Sequence, residues 1–209
     1  VDLKNAKLVD AELTNPNLTR AKLVDANLTN AQLVRAKLTH AILEGTNLTN
    51  AQLVSANLTD ANLTHANLTG ANLTGANLTH ANLTHANLTG ANLEGANLTN
   101  AILKDANLTG ANLIDANFTR VIFDNTELDL SDHKKINRII LQGAKWNEHV
   151  YKNMMTHVNF KYLFTKNKVG GRRRHFRKSR KSKQRKSRER KQRKSRERKR
   201  RKSRKACKQ

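Results

Sequence analysis

Hydrophobic and polar residues follow one another along the first 130 positions in a frame of five that never slips. Leucine holds the centre of every repeat from position 3 to position 113, and Phe118, Phe123 and Leu128 continue it. Alanine stands two residues earlier in every repeat except those with Val1, Pro16, Thr46, Val121 and Thr126. Residues 56–100 are the purest stretch, Ala-Asn-Leu-Thr-X with one exchange, Glu94. In all there are 26 consecutive pentapeptides. A short fixed period over this length outranks every other signal in the chain.

A period of five suits neither regular element. On an α-helix each step of five turns the side chain by about 140°, so the leucines would point all round the axis. On one continuous strand an odd period sends successive leucines to opposite faces. Each repeat must therefore contain its own bend, which returns every Leu and Ala to a shared interior. Asn, Gly, Asp and Ser recur after the Thr position, as a bend requires. The pattern predicts a solenoid with a core of stacked Leu and Ala.

These repeats resemble the pentapeptide-repeat family, whose consensus is A(D/N)LXX, over roughly residues 1–130. The resemblance implies an all-β fold, a right-handed quadrilateral β-helix in which four repeats make one square coil. Leu would fill the interior, and the small Ala would let the corners close. Here Asn outnumbers the Asp of the family pattern, and Thr dominates the next position. Four-sided coils stack residues 20 apart. Ile42, Ile102 and Ile122, which replace the residue before Leu or Phe, fall in one such column. Gln32 and Gln52 share another, as do Val34 and Val54. With strands about 4.8 Å apart, six and a half coils span about 31 Å.

The repeat ends near Leu130. Ser131-Asp132 reads as a helix N-cap, Ile136, Ile139 and Ile140 follow at helical spacing, and Gly143 is a stop. Trp146, Val150, Met154, Met155 and Val158 suggest a second amphipathic helix. Residues 131–168 are thus expected to form a short helical cap over the open end of the β-helix, where unpaired backbone invites aggregation. The functional alternative is a homodimer or partner contact through that cap. Pro16 suggests a local irregularity rather than an end.

Composition changes the picture mainly through charge. The chain has 209 residues, 37% hydrophobic and 4% aromatic, too few aromatics for a conventional mixed core. Net charge is +24. Residues 1–165 hold 14 Lys and Arg against 14 Asp and Glu, while 166–209 hold 26 against two, Glu189 and Glu197. Nearly all of the surplus lies in a tail over 169–209 with its own eight-residue period, R185KSRERKQ, R193KSRERKR, R201KSRKACK. With almost no apolar residue, the tail is expected to be disordered on its own.

That tail is the strongest functional signal. Dense Lys and Arg neutralise phosphates and release counterions, which gives salt-dependent binding without sequence preference. The candidate nucleic-acid-binding residues are Arg172, Arg173, Arg174, Arg177, Lys178, Arg180, Lys181, Arg185, Lys186, Arg188, Arg190, Arg193, Lys194, Arg196, Arg198, Arg201, Lys202 and Arg204. No aromatics are interleaved among the periodic repeats, so base stacking is not indicated. The competing readings are a solubilising or sorting tail, and a tail for anionic lipid or acidic protein. Ser179, Ser182, Ser187, Ser195 and Ser203 lie between basic residues and resemble basophilic kinase sites, where phosphorylation would cancel local charge.

Catalytic signatures do not occur: no Gly-rich phosphate loop, no G-x-S-x-G, no H-E-x-x-H, and no cofactor is expected. His65 and His85 should stack, as should His40, Asp60 and His80, and imidazoles one coil apart could share a metal. The plainer reading, preferred here, is tolerant solvated turns with no metal. Asn-x-Thr matches a glycosylation acceptor but reads as a by-product of the repeat. Cys207 stands alone, which excludes an intramolecular disulfide framework. No segment approaches the roughly 18 continuous apolar residues of a membrane span. No signal peptide precedes the repeat, and a start at Val1 in register suits a fragment or an unusual start. The expected location is cytoplasmic, or nuclear in a eukaryote.

The expectation is a non-enzymatic binding or scaffold protein with a nucleic-acid-binding tail, and a protein partner on the β-helix surface. Two alternatives stand beside it. Some pentapeptide-repeat proteins resemble duplex DNA and bind type II topoisomerases, but residues 1–130 carry eight basic and twelve acidic side chains, a thin charge for such mimicry. The other alternative is surface or ice recognition by flat, outward-facing Thr and Asn ladders.

Overall fold

The computed structural model describes residues 1–128 and 144–146. The residue before each core position bridges, in parallel, the residue 20 positions later, from Asp2–Lys22 through to Asn107–Glu127. Four pentapeptides therefore make one coil, and the described repeats form a four-sided β-helix. Ile42, Ile102 and Ile122 lie in one column and Gln32 bridges Gln52, as the 20-residue offset predicts.

One repeat shows how the chain is held. Leu78 N–H donates forward to the Asn97 carbonyl at 2.7 Å, and His80 N–H to the Thr99 carbonyl at 2.9 Å. Asn77 N–H donates backward to Ala56 at 2.9 Å. A fourth bond closes the corner, from Ala81 N–H to the Leu78 carbonyl at 3.0 Å. The third residue of that turn has positive φ, 61° at His80, the backbone that distinguishes a type II turn. Every fifth residue from Asn5 to Asn125 shares it. Gly, Asn and Asp fill most of these positions because they enter the left-handed region at least cost. Arg20, Arg35, Ser55 and Arg120 hold it against their own preference.

The core is the predicted stack. Leu23 to Leu103 and the alanines between them are at most 1% exposed. Burying each leucine is worth about 1.5–3 kcal/mol. Phe118 and Phe123 enlarge the last coil, their rings 5.2 Å apart and tilted by 48°. The exceptions to alanine are accommodated individually. Thr46 and Thr126 are buried, and their hydroxyls donate to the Leu23 and Leu103 carbonyls in the coil before. Pro16 keeps its ladder bond, accepting from Lys37 N–H at 2.9 Å. Having no N–H, it cannot close its own corner. The irregularity is local, as expected.

One expectation for the end of the helix is corrected. Trp146, read above as part of a second amphipathic helix, lies in a strand. Strand β1, Ile122–Phe123, pairs in parallel with β2, Lys145–Trp146. Lys145 N–H donates to the Val121 carbonyl at 2.7 Å, the same backward bond that Asn makes in each earlier coil. Ala144 is buried, as the repeat alanines are. Ala144-Lys145-Trp146 thus adds a further rung on one side, at an offset of 23 residues rather than 20. The proposed cap helices, over 131–143 and 147–168, lie outside the described residues. The chain divides into two units, Val1–Val169 and Gly170–Gln209, and the second contains no described residue.

Candidate functional site

Because the coil has four sides, the surface of the helix sorts into four faces with different chemistry. The first runs through residues 21–25, 41–45, 61–65 and on in steps of 20. Its two edges carry all four histidines of the described residues: His40 and His80 on one, His65 and His85 on the other. The second face runs through residues 26–30, 46–50, 66–70, 86–90 and 106–110. It reads Asn-Leu-Thr in five successive coils, edged by Asn30, Asn50, Gly70, Gly90 and Gly110, without one charged side chain. Residues 61–93 contain no Lys, Arg, Asp or Glu on any face.

The Asn and Thr side chains lie at the surface in columns 20 residues apart, and there they are bonded to one another. Asn77 Oδ1 accepts from Thr79 N–H at 3.1 Å and from the Thr79 hydroxyl at 2.6 Å. Asn47, Asn67 and Asn97 do the same with Thr49, Thr69 and Thr99. This is an Asx-turn, in which the side chain stands in for a backbone acceptor and sets up the corner. The bonding also crosses coils: Asn97 Nδ2 donates to the Thr79 hydroxyl at 3.1 Å, and Asn72 Nδ2 to Gln52 Oε1 at 3.1 Å. Asn-x-Thr is therefore a structural unit of the repeat. The signal was in the sequence, since Thr follows Asn by two residues in half of the 26 pentapeptides.

The histidine columns form, but without the geometry of a metal centre. His65 and His85 stack with ring centroids 4.8 Å apart and planes within 2°. A shared zinc needs both nitrogens about 2.0–2.1 Å from one ion, and parallel rings at this spacing hold equivalent nitrogens too far apart. His40 Nδ1 lies 3.9 Å from Asp60 Oδ2, and His85 Nε2 3.9 Å from Asp105 Oδ2. His80 Nε2 meets Asn100 Nδ2 at 3.4 Å rather than closing a site with Asp60. Among the described residues no three of His, Cys, Asp and Glu gather to hold a metal ion. Every buried side-chain nitrogen and oxygen there has a hydrogen-bond partner. The eighteen basic candidates within 172–204 lie outside the described residues, so the structure brings none of them to a site.

Comparison with known proteins identifies the repeat. The model of pentapeptide repeats matches in 8 copies, at residues 1–33, 31–70, 56–95, 66–105 and 101–132. Among curated proteins none matches the sequence. HetL, a pentapeptide repeat protein involved in heterocyst differentiation regulation in the cyanobacterium Nostoc sp. strain PCC 7120, is 32% identical, over 69% of this chain and 69% of its own, with a TM-score of 0.33. Rfr23, from the cyanobacterium Cyanothece 51142, is 32% identical over 63% of this chain and 65% of its own, with a TM-score of 0.36. Full-length QnrB1, a plasmid-mediated fluoroquinolone resistance protein, is 21% identical over 68% of this chain and 85% of its own, with a TM-score of 0.33. On the repeat frame, the 20-residue register and the match of the pentapeptide-repeat model over residues 1–132, the chain belongs to the pentapeptide-repeat family.

Proposed function

We propose that this chain is a non-enzymatic binding protein: a pentapeptide-repeat scaffold attached to nucleic acid, without sequence preference, by its basic tail. The observation that carries the reading is the placement of charge. Residues 1–165 balance to zero and 166–209 hold the entire surplus of +24, 26 basic residues less two acids. Few of those cations find a carboxylate within the tail, and the repeats, with eight basic and twelve acidic side chains over residues 1–130, offer a net charge of only −4 to take the rest. Phosphate is the polyanion that suits them, and displaced counterions supply the free energy.

Duplex mimicry draws little support from the repeats, since residues 61–93 are free of Lys, Arg, Asp and Glu. Ice recognition is weakened because the Thr hydroxyls already donate to Asn Oδ1 in the same repeat. The five uncharged coils of the second face, between Lys7 and Asp10 at one end and Glu127 at the other, are the natural place for a protein partner, since docking there desolvates no ion. Affinity capture from lysate with the full chain and with a 170–209 deletion, each with and without nuclease, tests the proposal. Nucleic acid should be recovered with the full chain and lost with the deletion. Equal recovery with both would refute the role of the tail.

A further inference from the structure

Each coil of the first face has two outward columns, formed by the residue before the core residue and the residue after it. Over much of the helix Asn and Thr fill these places and bond to each other. On the first face that unit survives only in the two central coils, where the Thr64 and Thr84 hydroxyls donate to Asn62 and Asn82 at 2.6 Å. To either side it gives way to isoleucine and a charge: Ile42 with Glu44, Ile102 with Lys104, and Ile122 with Asp124. All three isoleucines stay partly exposed, and each forgoes the Asx-turn bonds that Asn makes at the same place. Among the described residues Glu44 has no ion pair, and Lys104 has one, to Asp105 at 4.0 Å. The fold itself gains little from these exchanges.

Their order supplies a reason. Inverted about the midpoint between Asn62 and Asn82, the face matches itself. Ile42 falls opposite Ile102 in one column, and Glu44 opposite Lys104 in the other. One coil further out, Lys22 and Val24 come level with Ile122 and Asp124, so cation meets anion and Val meets Ile on the diagonals. At the ends Asp2 falls opposite Lys145, which β2 adds in register with Ile122. In the two columns no like charges fall directly opposite. Arg20 comes level with Arg120 only at the rim, where both are exposed and solvent screens them. A parallel pairing would instead set each isoleucine against the charge of its own repeat.

We infer that the first face is the contact surface for a second copy of this chain, packed antiparallel about a two-fold axis that runs along the strands between the coils of Leu63 and Leu83. Such a contact is isologous, so every match occurs twice. The interface is separate from the uncharged second face and does not rest on the tail. Eight rungs about 4.8 Å apart give a footprint about 34 Å long and roughly 10 Å wide. That is less than half of the about 800 Å² per partner of a standard interface, so the dimer is weak and forms in the micromolar range or above.

The test is sedimentation equilibrium of the full chain, freed of nucleic acid by nuclease, at about 150 mM salt. A reversible monomer–dimer equilibrium should appear between about 1 µM and about 500 µM. Glu44→Lys or Lys104→Glu sets like charges opposite each other twice per dimer and should weaken association by about tenfold or more. The double exchange restores opposite signs and should recover it. Ile42→Asn together with Ile102→Asn supplies the residue that the repeat prefers, so association should be lost while the melting temperature holds or rises. Isoleucines that serve only the fold would give the reverse, a lower melt with association intact, and the inference would fall. A chain that stays monomeric throughout, or a dimer indifferent to the charge exchanges, would also overturn it and leave the face to a different protein. With nucleic acid removed, none of these outcomes depends on the role proposed for the tail.

Discussion

Residues 61–93 and residues 170–209 are similar in length and opposite in chemistry. The first stretch has no Lys, Arg, Asp or Glu; the second is mostly Lys and Arg. In the first, polar side chains spend their hydrogen bonds on the fold itself: Asn77 on Thr79, Asn92 on Thr74, Asn97 on Thr79 and Thr99. In the second, the sequence supplies cations with almost no internal partner. Abundant polar residues therefore do not by themselves mark a binding surface. What matters is whether their bonding capacity is already used.

The comparison can be broken first at the core. Leu78 is fully buried and stacked between coils. Leu78→Asp places an unpaired carboxylate there, at a cost above about 4 kcal/mol. Loss of the cooperative melt and of the β-type circular dichroism spectrum is expected; a native melt would contradict the stacked interior.

Next come the side chains that the helix uses for itself. Asn77→Ala removes an acceptor from Thr79 N–H and the Thr79 hydroxyl together, so about 1–2 kcal/mol of stability should be lost. Thr79→Val keeps the size but loses the hydroxyl that donates to Asn77 and accepts from Asn97, costing about 0.5–1.5 kcal/mol. Denaturant midpoints measure both. If the two variants were as stable as the parent, Asn and Thr would be surface decoration after all.

The smallest effect has the opposite sign. Arg35 holds φ at 57°, while Gly90 holds 66° with open space where a Cβ would stand. Arg35→Gly relieves the left-handed strain and should raise stability by about 0.5–1 kcal/mol, less the entropy Gly gives the unfolded chain. A lower melting temperature would show that the Arg35 side chain contributes more than its backbone costs.

Much of this was legible because an unbroken period turns sequence distance into spatial neighbourhood. An offset of 20 correctly placed Ile102 beside Ile122, Gln32 beside Gln52 and His65 on His85. Legibility failed where side chains act locally or the period breaks. The Thr and Asn ladders read as outward-facing, but a residue pattern gives direction and not the hydrogen-bond partners that Thr79 has. Ala144-Lys145-Trp146 was missed because it rejoins the stack at an offset of 23, with Trp146 in register with Phe123. The histidine columns were placed correctly, but the parallel rings that argue against a metal could not be read from spacing.

The central claim is that the tail, and not the repeat surface, holds nucleic acid. Its most direct test is the salt dependence of duplex binding by the full chain and by a 170–209 deletion that retains the helix melt. If about six to ten phosphates are contacted, affinity of the full chain should fall by about 10³–10⁵ between 50 and 200 mM salt, alike for unrelated sequences. The deletion should show almost no binding at either salt. A deleted chain that binds DNA or RNA with the same salt slope would place the binding surface on the β-helix and contradict the account.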